Sequence, residues 1–380
     1  KKRSLLTVMP NKLCPKILNY DLLRYTKRIF ITSMAGKSKI RSYLFLIFLI
    51  VIAVGGYWVY TNFFKTSVKL NKDYEFIYIQ SAFDMNDIIY ELKDKNVLKE
   101  TEKFEWMAKK MELDQNIHPG KYRIINGMTH RQIINLIKYN KQEKIKLTFN
   151  SQIHNMEEFI LYVDDKLELD EEQLEGYFED PIMLERDFNL TPSCAFATII
   201  PQVYELSWAT SLPDLIIELR KTYNTFWTKE RIAKAKKNTK LSIGEVITLA
   251  SIVQNESYIP EEQQKIAGVY LNRLNKGMLL QADPTLVFAN KLWGVQRIYD
   301  KDKDIDSPYN TYKYKGLPPG PICLVKTQVL LQVIDLTKHK YLFFCAKPEL
   351  NGYSDFSETY EQHTKYARAY QKAMNNKGIK

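Results

Sequence analysis

Residues 241–258 read LSIGEVITLASIVQNESY, and this stretch predicts a helix that is buried on most of its sides. Ser242 and Glu245 have the spacing of a capping box, so the helix should begin at about Ile243. The apolar residues that follow cover more than one helical face, which is typical of a helix inside a protein core. These residues are Val246, Ile247, Leu249, Ala250, Ile252 and Val253.

Glu256 lies near the end of this stretch, on its apolar face. It follows Val253 by three residues and Ile252 by four, in the last turn before Pro260. Desolvation and the negative end of the helix dipole would both disfavour the carboxylate and raise its pKa. A raised pKa is what a general acid needs at neutral pH. The spacing alone is equally compatible with a terminal glutamate that faces solvent or pairs with a lysine.

Two segments after this helix carry groups that suit a sugar. Gln281 and Asp283 precede Pro284 in a segment that is predicted to be extended or a turn. Residues 309–312 (YNTY) lie beside the stiff GLPPGP turn at residues 316–321. Planar rings can stack on sugar faces, and neutral polar groups can bond to hydroxyls. An ordinary loop is the alternative for each of these residues taken singly.

Residues 70–147 predict a small α+β module, and residues 148–379 a larger α+β part. Strands are indicated by aromatic and β-branched residues or by alternation, and helices by capping residues and helical spacing. The predicted order is a strand at 74–80, a helix capped by Asp84, a helix near 102–111, a strand at 121–125, a helix opened by a Thr129/Gln132 capping box, and a strand at 144–149. A packing or spacer domain without a ligand is the alternative for this module.

The net charge of +11 belongs to one end of the chain. Residues 1–41 hold eleven Lys and Arg and one acid, Asp21, whereas the rest of the chain holds 44 basic and 43 acidic residues. A groove that tracks phosphates would need its basic residues on the folded part. The charge distribution therefore argues against a nucleic-acid partner. Met34 opens a compact basic flank, and one hypothesis takes it as the native start, so that residues 1–33 would not be native.

A membrane span explains the position of that charge. Residues 42–64 contain no charged residue, and residues 43–60 are almost wholly apolar. About 20 apolar residues cross a bilayer as a helix, with aromatic residues at the interface and basic flanks in the cytoplasm. The aromatic and basic residues in question are Tyr57, Trp58, Tyr60, Lys37, Lys39 and Arg41. We expect a cytoplasmic segment at 1–41 and a transmembrane helix at 42–64, with a buried core helix and a cleaved signal peptide as alternatives.

Cysteine and histidine spacing predicts neither a metal site nor a cofactor site. The four cysteines form no C-x-x-C pair, and the five histidines form no H-E-x-x-H motif. Cys14 lies in the basic N-terminal segment. The other three, Cys194, Cys323 and Cys345, allow one disulfide with one free thiol, or three buried free thiols.

Three blocks of sequence carry a long and specific pattern. They are ASIVQNES (250–257), AGVYLNRLNKGMLLQADPTLVFA (267–289) and YNTYKYKGLPPGPI (309–322). Together they resemble the signature of the endolytic murein transglycosylases, the YceG/MltG family. An upstream segment resembles the family's P-x-T-Y, with Val203 in place of the threonine. The resemblance covers about residues 70–379, and the tail looks most like members from Bacteroidetes.

The resemblance implies an architecture and a set of site residues. A transmembrane helix would be followed by a LysM-like module at 70–147 and a YceG-type catalytic domain at 148–379. Glu256 matches the family's catalytic glutamate. The candidate sugar-binding residues are Gln281, Asp283, Asn310, Tyr312, Asn272 and Arg273.

The resemblance also implies a reaction on peptidoglycan that uses no water. Glu256 would protonate the glycosidic oxygen between N-acetylmuramic acid and N-acetylglucosamine, and would then deprotonate the muramic C6 hydroxyl, which closes a 1,6-anhydro ring. Enzymes of this family cut nascent glycan strands and end their polymerisation. The expected partners are glycan strands, the bacterial inner membrane and the cell-wall synthesis machinery, with the C-terminal domains in the periplasm.

Three positions depart from the family pattern. Ser354 stands where members often have the histidine of G-x-H-x-F, and Thr364 follows His363 where members have H-N. Gln254 stands where many members carry a second acid, which points to Glu256 as the carboxylate that matters. The alternative functions are a catalytically inactive membrane-tethered scaffold and a hydrolytic muramidase, which would need a second carboxylate such as Asp283.

Overall fold

A computed structural model describes residues 40–61, 65, 67–295 and 298–377. Its first element is helix α1 (Ile40–Val59), twenty residues with a mean hydropathy of 2.2, and none of the residues in its apolar window is buried. By length and composition this helix could cross a membrane, and the lack of buried residues in that window disagrees with the alternative of a buried core helix. The basic segment, Met34 and Cys14 lie outside the described residues.

The small module contains one antiparallel strand pair and three helices. Strand β1 (Tyr74–Ile79) pairs with β2 (Gly120–Ile125), Tyr74 opposite Ile125 and Ile79 opposite Gly120. The helices are α2 (Met85–Asp94), α3 (Glu102–Lys110) and α4 (His130–Lys138). Asp84 and Thr129 form the capping boxes that open α2 and α4. These elements match the predicted order, and their buried faces form a core that extends from Val68 to Ile137.

Strand β3 (Ile145–Thr148) leaves the small module and pairs with the larger part. Its antiparallel partner is β4 (Val203–Leu206), with Leu147 opposite Tyr204. Leu147 is buried in the larger hydrophobic core. The two cores therefore divide the chain between Ile137 and Leu147, so that β3 belongs mostly to the larger part.

The larger part is helix-rich, and the described chain as a whole is mixed α+β, as the sequence predicted. Its helices and strands, in addition to β3 and β4, are α5 (Met156–Lys166), α6 (Glu171–Glu179), α7 (Pro181–Phe188), α8 (Leu212–Phe226), α9 (Lys229–Thr239), α10 (Ile243–Glu256), α11 (Pro260–Asn275), α12 (Asp283–Ala289), α13 (Thr327–Ile334), β5 (Phe343–Ala346), β6 (Ser354–Ser357) and α14 (Tyr360–Asn376). Short 3₁₀ helices span Pro192–Thr198 and Asp300–Asp304. A hairpin joins β5 to β6, and α14 packs against it.

Helix α10 lies at the centre of this part. Ser242 and Glu245 form the predicted capping box, and every residue from Val246 to Val253 is buried. The first turn packs so closely against the 3₁₀ helix that a Cβ at Gly244 would lie 2.9 Å from the Cys194 sulfur. A side chain at this position would force the Cys194 side chain to shift, so the close packing of the two elements favours glycine there.

The small module and the larger part touch through polar and aromatic contacts. The backbone N–H and the hydroxyl of Ser81 both donate to the Glu168 carboxylate at 2.8 Å. Tyr78 on β1 packs edge-on against Trp208, with ring centroids 5.0 Å apart. Gln142 also accepts a hydrogen bond from a serine beside Trp208, at 2.5 Å. The two parts are therefore held together by more than the chain that joins them.

Three cysteines in the described chain are free thiols. Cys323 is buried, and Cys194 and Cys345 are half-buried. Of the two alternatives that the sequence allowed for these residues, the structure contains the one without a disulfide.

Candidate active site

Glu256 is the last residue of α10 and lines an open cleft of about 1460 Å³. The helix ends here because Ser257 adopts an extended backbone, with φ −151° and ψ 147°, and α11 then begins at Pro260. This turn leaves the Glu256 side chain where α10 meets α11. The side chain is half-buried, with part of it open to the cleft.

The surroundings of Glu256 favour its protonated form. The pKa of the carboxyl group is raised to about 7, mainly by burial and in smaller part by the nearby Asp283 carboxylate. A hydrogen bond from Tyr270 and the charge of Arg273 act in the opposite direction. A carboxyl group with this pKa can hold a proton at neutral pH and release it to a substrate.

Tyr270 holds the Glu256 side chain in place. It lies on the buried face of α11, with 1% of its surface exposed, and its hydroxyl donates to Glu256 Oε1 at 2.6 Å. Burial and the nearby Glu256 carboxylate keep the pKa of Tyr270 well above its usual value, so the phenol remains a donor. Sequence reasoning missed this residue, although it stands inside the quoted 267–289 block.

Asp283 and Tyr312, two of the residues that the sequence offers as sugar-binding candidates, are in contact with each other beside the cleft. The Tyr312 hydroxyl donates to Asp283 Oδ1 at 2.5 Å. Asp283 is exposed and lines the cleft, and Tyr312 is half-buried with a pKa that burial and the Asp283 carboxylate raise. Asp283 can therefore reach a ligand in the cleft.

The backbone of Gln281 connects the segment at 281–284 to the segment at 309–312. Its side chain is exposed, and its φ of 52° places it in the left-handed region. Its N–H donates to the carbonyl of Thr311 at 3.1 Å, and the Ala282 N–H donates to the Thr311 hydroxyl at 3.0 Å. Gln281 lies next to the cleft but is not among the residues that line it.

Asn272 and Arg273 lie behind the cleft rather than in it. Asn272 Nδ2 donates to two backbone carbonyls in the loop before β5, at 2.8 and 2.9 Å. The Arg273 guanidinium donates to the carbonyls of Leu342 and Leu280, both at 2.7 Å. Neither residue is among those that line the cleft, and these hydrogen bonds tie both side chains to the neighbouring loops, so direct binding of sugar by them stays a prediction.

Asn310 is also placed behind the site. It is fully buried, and its amide donates to the carbonyls of Lys303 and Ile305 at 2.9 and 2.8 Å. Its oxygen accepts the backbone N–H of Tyr312 at 3.0 Å. Asn310 thus fixes the loop that carries Tyr312, and its contact with sugar stays a prediction.

Gln254 cannot supply a second acid and is fixed by the protein. Its amide nitrogen donates to the carbonyl of Leu324 at 2.9 Å, and its oxygen accepts the N–H of Lys326 at 2.8 Å. Among the cleft-lining residues that the structure describes, Asp283 is the one carboxylate besides Glu256.

Aromatic residues line much of the cleft. Trp293 stacks on His154, with ring centroids 4.4 Å apart and an interplanar angle of 13°, and Phe288 meets the indole edge-on. Tyr299 and Tyr370, the latter on α14, also line the cleft. Flat rings of this kind are suited to stacking against sugar rings.

Cys323 lies at the cleft wall as a protonated thiol. Burial raises its pKa to about 12, and amide nitrogens of Gln254 and Asn255 donate to its sulfur at 3.3 and 3.2 Å. A thiol with such a pKa carries little thiolate at neutral pH, so it is a poor nucleophile.

Ser354, at the position where family members often have a histidine, is not among the residues that line the cleft. His363 in α14 is not among them either. The backbone N–H of Ser354 donates to Glu262 at 2.8 Å. His363 stacks on Phe343 at 5.3 Å, and burial lowers its pKa. No group of three or more His, Cys, Asp and Glu residues that could hold a metal ion occurs within the described ranges.

The site as a whole belongs to a recognisable class. A carboxylic acid with a near-neutral pKa, in an open cleft with aromatic walls, is the arrangement that enzymes use to protonate a glycosidic oxygen. The chain belongs to the YceG-like family, whose model matches residues 77–369.

Similar proteins carry a name that fits this class. The chain is 38% identical over 168 residues to the endolytic murein transglycosylase of Bacillus subtilis (strain 168), covering 44% of this chain and 45% of that protein. It is 32% identical over 152 residues to the endolytic murein transglycosylase of Streptococcus pneumoniae serotype 2, covering 39% and 27%. The match therefore spans less than half the length of either relative. A crystal structure of a yceG-like protein from Listeria monocytogenes has 26% identity and a TM-score of 0.47, covering 78% of this chain and 99% of that one.

Proposed function

We propose that this protein is an endolytic murein transglycosylase that cleaves peptidoglycan glycan strands, with Glu256 as its catalytic acid and base. The single observation that carries the proposal is the position of Glu256 in the cleft, with a pKa that burial raises to about 7. Membership of the YceG-like family and the printed names of the relatives support the choice of substrate.

The proposed reaction conserves every atom of the substrate. Glu256 gives its proton to the glycosidic oxygen as the bond from C1 of N-acetylmuramic acid breaks. The C6 hydroxyl of the same sugar then bonds to C1, and its proton goes to the Glu256 carboxylate. One residue can serve both steps because they occur in sequence. The attack is intramolecular, so it gains the advantage of proximity.

The sugar-binding candidates divide into two groups. We assign Asp283, Tyr312 and the exposed Gln281 to direct contact with the substrate, because they lie at or beside the cleft. Asn272, Arg273 and Asn310 hold the surrounding loops instead, since their side-chain donors are bonded to backbone carbonyls.

The mass of the products tests this proposal. The full-length protein, purified in detergent, should release fragments from isolated sacculi that end in 1,6-anhydro-muramic acid, and Glu256→Gln should release almost none. Each fragment should be one water lighter than the corresponding reducing-end product. The absence of fragments with the unmodified protein would instead support the scaffold alternative.

Asp283 is the observation that favours the second candidate, a hydrolytic muramidase. It is a second carboxylate at the same cleft, as two-carboxylate hydrolysis requires. In the transglycosylase this residue only binds substrate. Mainly reducing-end products that disappear in Asp283→Asn would establish the hydrolase and refute the transglycosylase.

We further propose that the chain is a single-pass protein of the bacterial inner membrane with its C-terminal domains in the periplasm. A twenty-residue apolar helix and its basic N-terminal flank support this orientation. In this setting the small module would be LysM-like, and cleavage of nascent strands beside the synthesis machinery would end their growth. Alkaline phosphatase fused after the last residue should be active, and replacing Lys37, Lys39 and Arg41 by acids should reduce that activity.

A further inference from the structure

Helix α3 of the small module has one face in the core and one face in the open. Phe104, Met107 and Ala108 are buried in the core of the module. Lys103, Trp106 and Lys110 are exposed and follow the spacing i, i+3, i+7, which places them on one side of the helix. We call these three residues the α3 face.

The α3 face lies at the end of the apolar helix α1. Trp106 packs edge-on against Trp58, in the last turn of α1, with ring centroids 6.0 Å apart and an interplanar angle of 81°. Trp106 keeps 39% of its surface exposed beside this contact. Tryptophan at the end of a membrane span is typical of the headgroup region, because its ring is apolar and its N–H is polar.

The length of the chain independently limits how far the module can be from the span. Val68, the first residue of the module's core, follows the end of α1 at Val59 by nine positions. A fully extended chain of that length reaches at most about 30 Å. The backbone N–H groups of Ser67 and Val68 already donate to the Met128 carbonyl, so the module begins immediately after this short connection.

The charge of the α3 face matches a phospholipid surface. No ion pair of Lys103 or Lys110 occurs among the described residues, whereas the neighbouring Lys109 is paired with Glu105 at 2.7 Å. Two unpaired ammonium groups on either side of an indole can contact anionic headgroup phosphates while the ring enters the boundary with the acyl chains.

We infer that the α3 face rests on the headgroup layer of the membrane that α1 crosses, with anionic phospholipid as its ligand. The inference depends on α1 being a true membrane span and is independent of the reaction at Glu256. The small module contacts Glu168 and Trp208 of the larger part, so its attachment to the membrane surface also restrains the larger part. The larger part is thus oriented by a surface as well as tethered by a helix.

Fluorescence quenching in vesicles tests the inference on the full-length chain. The protein is reconstituted with lipids brominated near the headgroup end of their acyl chains, and the quenched share of tryptophan emission is measured. Trp106→Phe should lower the quenched share, because it removes an indole that the bromines reach. Trp227→Phe is the matched control: this indole is 4% exposed inside the larger part, so its removal should raise the quenched share.

Two outcomes overturn the inference, and they can be told apart. If the protein does not remain with the vesicles after an alkaline wash, the membrane span fails and the inference fails with it. If the protein remains and Trp58→Phe lowers the quenched share while Trp106→Phe does not, α1 spans the membrane but the α3 face does not touch it.

A charge-reversal pair tests the choice of ligand. Lys103→Glu combined with Lys110→Glu should reduce the quenched share in phosphatidylglycerol vesicles and leave it unchanged in pure phosphatidylcholine vesicles. Lys236→Glu combined with Lys237→Glu makes the same change of charge on the exposed surface of α9 and should have no effect in either. Equal effects of the two pairs, or no effect of the first pair in phosphatidylglycerol, would refute the assignment to anionic lipid.

Discussion

Helix α10 carries a glutamate at each end, and the two have opposite surroundings. Glu245 in the first turn is exposed, and its Oε2 accepts from the Ser242 N–H at 2.7 Å and from the Ser242 hydroxyl at 2.8 Å. Glu256 in the last turn is half-buried, accepts a hydrogen bond from Tyr270, and has a pKa raised to about 7. The same side chain is therefore a helix cap where water and donors surround it, and an acid where protein replaces water.

The largest effect that this comparison predicts is the loss of activity in Glu256→Gln. The amide keeps the shape of the side chain but cannot give up a proton, and acid–base help is typically worth about 10²–10⁴-fold. Because one residue serves both steps, we expect the upper end of this range in the release of fragments from sacculi. Glu245→Gln, the matched control on the same helix, should keep nearly full activity, and similar losses in both variants would mean that Glu256 is not the acid.

The pH dependence of the free energy of unfolding should also distinguish Glu256 from Glu245. Glu256 has a pKa of about 7 in the folded protein against an ordinary value of 4.5, so the folded state keeps a proton that the unfolded state has lost. The free energy of unfolding of the unmodified protein should therefore fall between about pH 4.5 and 7 and level off above. Glu256→Gln removes this penalty and should be more stable at about pH 8 by roughly 1–3 kcal/mol.

Unfolding of the detergent-solubilised protein by heat or urea gives this difference directly. At about pH 4.5 the Glu256 carboxyl group of the folded protein is largely protonated, and the amide of Glu256→Gln is uncharged. The two proteins should therefore have nearly the same free energy of unfolding at this pH. A constant advantage of Glu256→Gln at all pH values would show that packing, rather than the proton, is responsible.

Glu245→Gln should have a smaller effect of the opposite sign. Its carboxylate accepts from the N–H and the hydroxyl of Ser242 in the capping box. Glutamine can keep the contact with the N–H, but it loses the negative charge near the helix N-terminus, which typically stabilises a helix by about 0.3–1 kcal/mol. The same unfolding experiment should therefore find this variant slightly less stable near neutral pH. A stability equal to that of the unmodified protein would show that the charge of Glu245 does not stabilise the exposed end of α10.

The smallest expected effects are shifts of the pH profile around Glu256. The acid must be protonated at the start of the reaction, so kcat/KM should fall as the pH rises through its pKa. Tyr270→Phe removes a hydrogen bond that lowers this pKa and should move the fall to higher pH. Asp283→Asn removes a charge that raises it and should move the fall to lower pH.

The essential result is that the two variants shift the pH profile of kcat/KM in opposite directions. The height of the profile can change in either variant through substrate binding, but its position reports the acid. Shifts in the same direction would mean that the fall does not belong to Glu256.

Local signals in the sequence were sufficient for α10 and for most of the small module. The capping boxes at Ser242, Asp84 and Thr129 predict where helices begin because they involve residues only three positions apart. The position of Glu256 on an apolar face follows from helical spacing in the same way. Whether its carboxyl group is buried or faces solvent was not determined by that spacing.

Partners that are distant in sequence could not be predicted. Tyr270 reaches Glu256 because the turn at Ser257 folds α11 back beside α10, and that angle is not encoded in either helix alone. An apolar position of α11 four residues after Ile266 was the available signal, but a buried tyrosine is more often a core residue. The pairing of β3 with β4 joins segments that are more than fifty residues apart and has no local signature.

The polar residues of the signature show the same limit. Asn310 was assigned to sugar because neutral polar groups can bond to hydroxyls, and Asn272 and Arg273 because they match the family signature. The sequence does not show whether sugar hydroxyls or groups of the protein lie nearer to these side chains. In the structure the nearer acceptors are backbone carbonyls of neighbouring loops. Buried backbone carbonyls need donors, so such residues often serve the loops first.

The rates at which the free cysteines react with alkylating reagents would measure local opening of the structure. Burial raises the pKa of Cys194, Cys323 and Cys345, and only the thiolate reacts readily with alkylating reagents. Each thiol should therefore react slowly in the folded protein and faster when the structure around it opens, with the largest difference at the buried Cys323. Cys194 lies against the first turn of α10, Cys323 beside the last turn, and Cys345 in the β5–β6 hairpin. Brief pulses of alkylation, read by peptide mass, would give the order in which these three regions come apart.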